Sequence, residues 1–188
     1  MEFNQLVENR RSIRKFQDRR ISTELVMDII RDSCKAPSAM NSQPWRFIVI
    51  NDKPTMKRLS DESKANILND IAANPNTPIA GLEDLLRKKD FNVFYNAPCL
   101  VYIIGPADFP SIYTDCALAA SYFMFSATAR GLGTCWIGLG RDIRSKELLD
   151  KIGLPNDHFI VAPIIIGYPE HIPEMTPRDD PQILKWID

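Results

Sequence analysis

Three polar residues spaced two apart, Arg10, Ser12 and Arg14, stand in the stretch NRRSIRKFQDRR, residues 9–20. Half of that stretch is Arg or Lys, and Asp18 is its one acid. In an extended segment, residues at this spacing point to the same side. Two guanidinium groups and a hydroxyl in line can grip an elongated, oxygen-rich anion. Arg suits a phosphate, and Ser suits a phosphate or sugar oxygen. The other side would carry Arg11 and Ile13, with Ile13 and then Phe16 available to the core. The competing reading is a solvated charge run, a common fate of basic clusters.

A second stretch, PSAMNSQPW at 37–45, offers a different chemistry. Pro37 and Pro44 stiffen its ends by fixing φ. Asn41 and Gln43 are again two apart. Their carboxamides both donate and accept, which suits a heterocycle edge alternating C=O and N–H. Ser, Asn and Pro are also ordinary turn residues, so turn chemistry is the alternative.

The totals narrow the setting. The chain has 188 residues, 23 basic against 24 acidic, and a formal charge of −1. That length suits one domain, 1–188, with a well-buried core. Near-zero net charge argues against a nucleic-acid binder, which needs a broad basic surface. No apolar run approaches the roughly 20 residues that span a bilayer, and MEFNQLVENRRSIRKF does not read as a secretory signal. Cys34, Cys99, Cys116 and Cys135 are scattered in apolar contexts and read as buried, reduced thiols. With two histidines, His158 and His171, and no paired cysteines, no metal site is expected. The expected location is the cytoplasm.

The elements that must position these residues alternate between helix and strand. A short helix over 2–9 precedes the basic stretch. ISTELVMDIIRDSCKAP reads as a helix with Ser22 as N-cap, stopped by Pro37. WRFIVIN, APCLVYIIG, GTCWIGLG and FIVAPIIIGYP read as strands. PTMKRLSDESKANIL and GLEDLLRKKD read as helices, and 70–80, DIAANPNTPIA, as a mobile loop or lid. Phe91, Phe94 and Tyr95 could line a pocket but fit a core role better. YTDCALAASYFMFSATARG is a long helix, apolar around most of its girth, with Ala117, Ala119, Ala120 and Ser121 toward one end. Such a helix must be buried on all sides, and in a chain this small a second subunit is the expected outer wall. RSKELLDKIGL is a helix closed by Gly153. The alternation argues for an α/β or α+β sandwich.

Taken together, R-R-S-I-R and, about 25 residues on, P-S-x-x-N-x-Q-P-W resemble the flavin-dependent nitroreductase family. GLGTCWIG at 131–138 is similar to that family's G-x-G-x-x-W-x-G segment. IIIGYPE at 164–170 resembles its last core strand, and MTPRDD at 175–180 its phosphate-binding C-terminal stretch. The resemblance implies an α+β fold, an α/β/α sandwich with a central, mostly antiparallel sheet flanked by helices, forming a homodimer with FMN at the subunit interface.

It also implies roles. Arg10 and Ser12 would bind the FMN phosphate and ribityl chain, joined by Arg178. Arg11 matches a position that often contributes, although the alternation points it elsewhere. Arg14 would reach the pyrimidine edge near N1 and O2, where reduction builds negative charge. Pro37, Ser38 and Ala39 would contact the flavin from the other subunit, with Asn41 near the ring edge. Gln43 would either touch the flavin or hold the loop. Trp136, Ile137 and Gly138 would pass the ring, with a backbone N–H toward N5 and Gly138 permitting close approach. Gly131 reads as helix-end punctuation.

No catalytic acid or base stands out. In the family the flavin carries the chemistry, taking hydride from NADH or NADPH and passing two electrons to a nitroaromatic, quinone or similar electron-poor acceptor in a ping-pong cycle. The same scaffold also supports reductive dehalogenation and oxygen-dependent flavin chemistry, and a non-catalytic FMN-binding or storage protein is a further alternative. A deiodinase-like lid would clamp a zwitterion, and Glu83, Arg87 and Lys88 are the available groups, although they read better as a solvated helix face. The C-terminal PQILKWID resembles the segment that embraces the partner. Its shortness suggests that Ile183, Leu184 and Trp186 dock only locally.

Overall fold

The strand β2 (Cys99–Pro106) is the spine of the molecule, because its side chains are buried on both faces. The computed structural model describes residues 2–188. In it β2 lies between β1 (Arg46–Ile50) and β4 (His158–Gly167), and β3 (Gly133–Trp136) closes the far edge, giving the order β1-β2-β4-β3. Every pairing is antiparallel, with Arg46 opposite Ile104, Cys99 opposite Ile166 and Gly133 opposite Gly167. A register shift falls between Ile103 and Ile104.

The two faces of β2 belong to two cores. Cys99, Val101 and Ile103 point into one, with Ile164 and Ile166. Helices α2 (Thr23–Ser33) and α5 (Ile112–Ala129) cover it through Val26, Ile29, Ala119 and Phe123. Leu100, Tyr102 and Ile104 point into the other, with Ile165 and Phe94. Helices α3 (Lys53–Ala73) and α6 (Lys146–Ile152) cover that face through Met56, Leu59 and Leu148. This is the α/β/α sandwich expected from the sequence, with an antiparallel sheet. Helix α1 (Phe3–Asn9) buries no residue of its own and lies against α5.

Local chemistry sets the ends. The Ser22 hydroxyl accepts from the Leu25 N–H at 3.2 Å, Asp52 from Thr55 at 2.8 Å, and Ser145 from Leu148 at 3.4 Å, each an N-cap. Gly131 and Gly153 each adopt φ 74° just past α5 and α6, the left-handed turn that glycine supplies at a helix end.

Three expectations change. The segment 70–80 is not a loop throughout, since α3 runs on to Ala73. Ile71 follows Ile67 at helical spacing and packs with it against Leu86. A 3₁₀ turn, Pro78–Leu82, then leads into α4 (Glu83–Leu86), which is shorter than the sequence suggested. The strand expected over 133–140 ends at Trp136, and Gly138–Arg141 turn away as a 3₁₀ segment. Finally, Ile183, Leu184 and Trp186 do not dock on this protomer. They are 63%, 98% and 75% exposed on a tail without regular structure.

Candidate functional site

The basic stretch is extended, as its alternation requires. It leaves α1 at Arg10 and runs along the β3 edge. The Ile13 N–H donates to the Thr134 carbonyl at 2.9 Å, and Ser12 and Thr134 form a parallel bridge. Further on, the Gln17 N–H donates to Tyr168 at 2.9 Å. Ile13 is buried, and Phe16 packs into the second core. Ser12 and Arg14 are left exposed on the opposite side, and Arg10 half-exposed. The close approach depends on Gly133, where a Cβ would lie 2.5 Å from Ile13 Cγ1.

The three polar residues lie near enough to β3 to act on the buried Cys135 thiol. Burial pushes that thiol's pKa up, while the Arg14 cation, the Ser12 hydroxyl and the Arg10 cation pull it down. Among the described residues no carboxylate pairs with Arg10, Arg11 or Arg14. Arg11 donates through Nη1 to the Arg10 carbonyl at 2.7 Å, but its Nε is buried without a partner. Thr134 Oγ1, wholly buried beside Ser12, also lacks one. Buried polar atoms are nearly always paired. A cluster of unneutralised cations with two orphaned polar atoms fits an anionic, oxygen-rich ligand. Arg178 sits on the exposed tail, and nothing in the protomer brings it to this cluster.

The second stretch forms a tight clamp elsewhere. Trp45 is buried and roots it. The Ala39 N–H donates to Asp115 Oδ1 at 3.0 Å, and Ser111 Oγ donates to Asp115 Oδ2 at 2.8 Å. The Gln43 N–H closes the loop onto Ser38 Oγ at 3.0 Å. The Gln43 carboxamide donates to Asn41 Oδ1 at 3.2 Å, so in this protomer Gln43 holds the loop. Met40, Asn41 and Gln43 all adopt left-handed backbone, φ 52°, 54° and 46°. Asn tolerates that region and the others do not favour it; such strain concentrates at ligand clamps.

The turn after β3 supplies the third part. Trp136 is half-buried, and the Ile137 N–H is engaged by the Pro163 carbonyl at 2.8 Å. Gly138 opens the 3₁₀ turn, so its N–H has no acceptor within that turn. A Cβ on Gly138 would meet nothing within 4 Å. Beside it lies a cavity of about 880 Å³ walled by Leu139, Tyr113, Phe159 and, from the segment after α3, Thr77 and Ile79.

Asp115 was not anticipated. It is buried, it is the only charged residue of α5, and it anchors the 37–43 clamp. A lone acid in an otherwise uncharged helix was the available signal. Asp115 lies in the first turn of α5, whereas Thr134 lies just beyond its C-terminal end. Asp115 and Ala129 are fourteen positions apart in α5, about 21 Å at 1.5 Å per residue. The clamp is thus rooted on the first turn of α5, whereas the strand beside the cationic cluster follows the C-terminal end of α5 in sequence.

The model of the Nitroreductase family matches residues 7–168. An Archaeoglobus fulgidus protein, provisionally named NADH dehydrogenase/NAD(P)H nitroreductase, is 28% identical over 177 residues, 93% of this chain and 90% of its own. The iodotyrosine deiodinase of Thermotoga neapolitana is 24% identical over 182 residues, covering 93% of this chain and 92% of its own. A nitroreductase of Bacteroides fragilis, crystallised with bound FMN, superposes with a TM-score of 0.80 at 21% identity, over 100% of this chain and 98% of its own. At that identity the superposition speaks for the fold.

Proposed function

This chain belongs to the nitroreductase family, and from that premise we propose that it is a homodimeric, FMN-dependent NAD(P)H oxidoreductase acting on nitroaromatic, quinone or similar electron-poor acceptors. FMN, held by this chain, would supply the two-electron chemistry between NAD(P)H and the acceptor. The chain supplies position and charge. Arg10 and Ser12 hold the phosphate and ribityl oxygens, with Arg11 beside them. Arg14 places a planar cation at the pyrimidine edge. Gly138 leaves room for the ring and directs a backbone N–H toward it, with Trp136 and Ile137 fixing the turn. Pro37, Ser38, Ala39 and Asn41 close over the ring from the partner subunit, and Arg178 joins the phosphate site when the tail is ordered by the dimer.

The observation that carries this reading is the cluster of Arg10, Arg11 and Arg14, unpaired by any carboxylate among the described residues, beside the buried and unpartnered Thr134 hydroxyl, with the 37–43 clamp anchored separately on Asp115 of α5. A two-fold axis crossing α5 sets one copy's helix antiparallel to the other's. The clamp of one protomer then meets the cationic cluster of its partner. The same arrangement covers the apolar face that α5 leaves open at Leu118 and Tyr122. The deiodinase relative raises a second chemistry. However, Glu83 of α4 and Arg87 just past its end are engaged by each other at 2.6 Å, which argues against their clamping a zwitterionic amino acid.

The test is an absorbance spectrum of the purified protein followed by anaerobic titration with NADH and NADPH. A flavin spectrum that bleaches is the expected result. Bound flavin that neither nucleotide reduces would move the chain to another flavin chemistry or to storage. Arg10→Ala should weaken FMN binding ten- to a hundredfold, as loss of a charged phosphate contact costs about 1.5–3 kcal/mol. Retention of the yellow colour through dialysis would refute the phosphate placement.

A further inference from the structure

We propose that Tyr95 is a positioning residue for the redox step: its ring holds the Arg14 guanidinium at the pyrimidine edge of the flavin and so sets the cofactor's reduction potential. The proposal rests on the FMN reading above. It starts from a problem that Arg14 poses. Arg14 is exposed on a long, flexible side chain, and no carboxylate pairs with it among the described residues. A cation free to swing into water stabilises little charge, because water screens it. Something must hold it, and a carboxylate would cancel the field that is needed. An aromatic face attracts a cation through its quadrupole and leaves the full charge in place. The Arg14 guanidinium carbon lies 5.7 Å from the centroid of the Tyr95 ring, within the range of that interaction.

Tyr95 is itself held with unusual firmness. It and Asn96 adopt φ 53° and 52° immediately before β2. Aromatic residues rarely take that conformation, and it persists where the surroundings over-determine it. Here they do. Lys64 of α3, nearly buried, donates to the carbonyls of Lys88 at 2.8 Å and Phe91 at 2.9 Å. The Ser60 hydroxyl accepts from the Val93 N–H at 2.9 Å. Asn92 accepts from the Phe94 N–H through Oδ1 and from the Tyr95 N–H through its carbonyl, both at 2.8 Å. Val93 and Phe94 are fully buried, and Phe91 meets Tyr95 edge-on at 5.8 Å. Burying an ammonium to fix two loop carbonyls is expensive. The result is a rigid platform with the half-exposed Tyr95 on top and Arg14 resting against it.

The experiment measures the two-electron reduction potential and the oxidised-FMN affinity of the flavin-loaded protein. The variants are Tyr95→Asn, Tyr95→Phe, Arg14→Ala and the double variant Arg14→Ala/Tyr95→Asn. Asn accepts the left-handed backbone, so Tyr95→Asn adds no strain there. It should bind oxidised FMN within about twofold of the parent. At a fixed potential it should lower the ratio of reduced to oxidised flavin three- to tenfold, a shift of about 15–30 mV for a two-electron couple. Tyr95→Phe keeps the ring and should match the parent. The double variant should match Arg14→Ala alone, because Tyr95 acts only through Arg14. An unshifted potential in Tyr95→Asn, a Tyr95→Phe that behaves like Tyr95→Asn, or a double variant with additive effects would each overturn the proposal. An unshifted Arg14→Ala would overturn it while leaving FMN binding intact. Failure of the parent to take up FMN would overturn the cofactor reading itself.

Discussion

Gly133 and Gly138 are five residues apart, and their missing side chains serve different partners. At Gly133 a Cβ would sit 2.5 Å from Ile13 Cγ1 and 2.8 Å from Ile13 Cβ, both in the buried core. Gly133→Ala should therefore destabilise the fold by about 1–3 kcal/mol, the usual cost of overpacking, visible as a lowered Tm. At Gly138 the Cβ meets nothing in the chain. Gly138→Ala should leave stability within about 0.5 kcal/mol of the parent yet slow flavin reduction by NAD(P)H at least severalfold. A Gly138→Ala variant with parental reduction kinetics would remove this turn from the cofactor site. The sequence separated these glycines only partly. Gly131 was readable as helix punctuation because that role is local. The role of Gly133 depends on which distant segment lies over it, and spacing along the chain does not report that. The alternation of Arg10, Ser12 and Arg14 was readable, because period two in an extended segment needs no tertiary information.

Among the elements, α5 positions the site. Its only charge, Asp115, is buried and accepts from the Ala39 N–H and the Ser111 hydroxyl. Asp115→Ala removes both of these hydrogen bonds from partly exposed donors and should cost about 1–3 kcal/mol in total. It should also weaken FMN binding, since the 37–43 clamp loses its anchor. Asp115→Asn keeps an acceptor for Ala39 and should recover most of the affinity in a fluorescence titration. Equal loss in both variants would show that the charge, not the acceptor, matters. Further along, α5 is stapled to α2. Asp32 accepts from Lys35, Ser126 and Arg130, which hold its pKa down at about 2. The folded pKa is thus below that of the unfolded chain. The staple is intact above about pH 4 and is lost as the pH falls toward 2, a difference of about 1 kcal/mol for a partly exposed group. Asp32→Asn should flatten that part of the stability curve measured by denaturant titration between pH 2 and 5. The Ser22 cap, the helix-closing glycines and the strand centres were visible in the sequence. The end of β3 and the extension of α3 were not, because both are decided by packing: Gly140 meets Phe94 where the chain turns, and Ile71 meets Leu86.

On the scale of the whole molecule, the protomer leaves several apolar groups uncovered. Tyr113, Leu118 and Tyr122 are exposed along α5, Phe3 and Val7 on α1, and Ile183, Leu184, Trp186 and Ile187 on the tail. An exposed apolar surface of this kind suits an interface. A two-fold pairing of α5 would cover that helix with its own copy. It would also join each cationic cluster to the partner's clamp, so that every FMN site takes one part from each chain. This arrangement makes a strict prediction for mixed dimers. Arg10→Ala damages the cluster, and Asp115→Ala damages the clamp. Each homodimer carries a lesion in both sites. A heterodimer of the two variants, purified through different affinity tags, carries both lesions in one site and none in the other. It should bind close to half the FMN of the parent dimer, measured as flavin absorbance per protomer, although each variant homodimer binds little. If each site were built within one chain, every site of the heterodimer would be damaged and the preparation would be colourless. Recovery of half the flavin from two defective chains requires the sites to be shared across the two-fold axis.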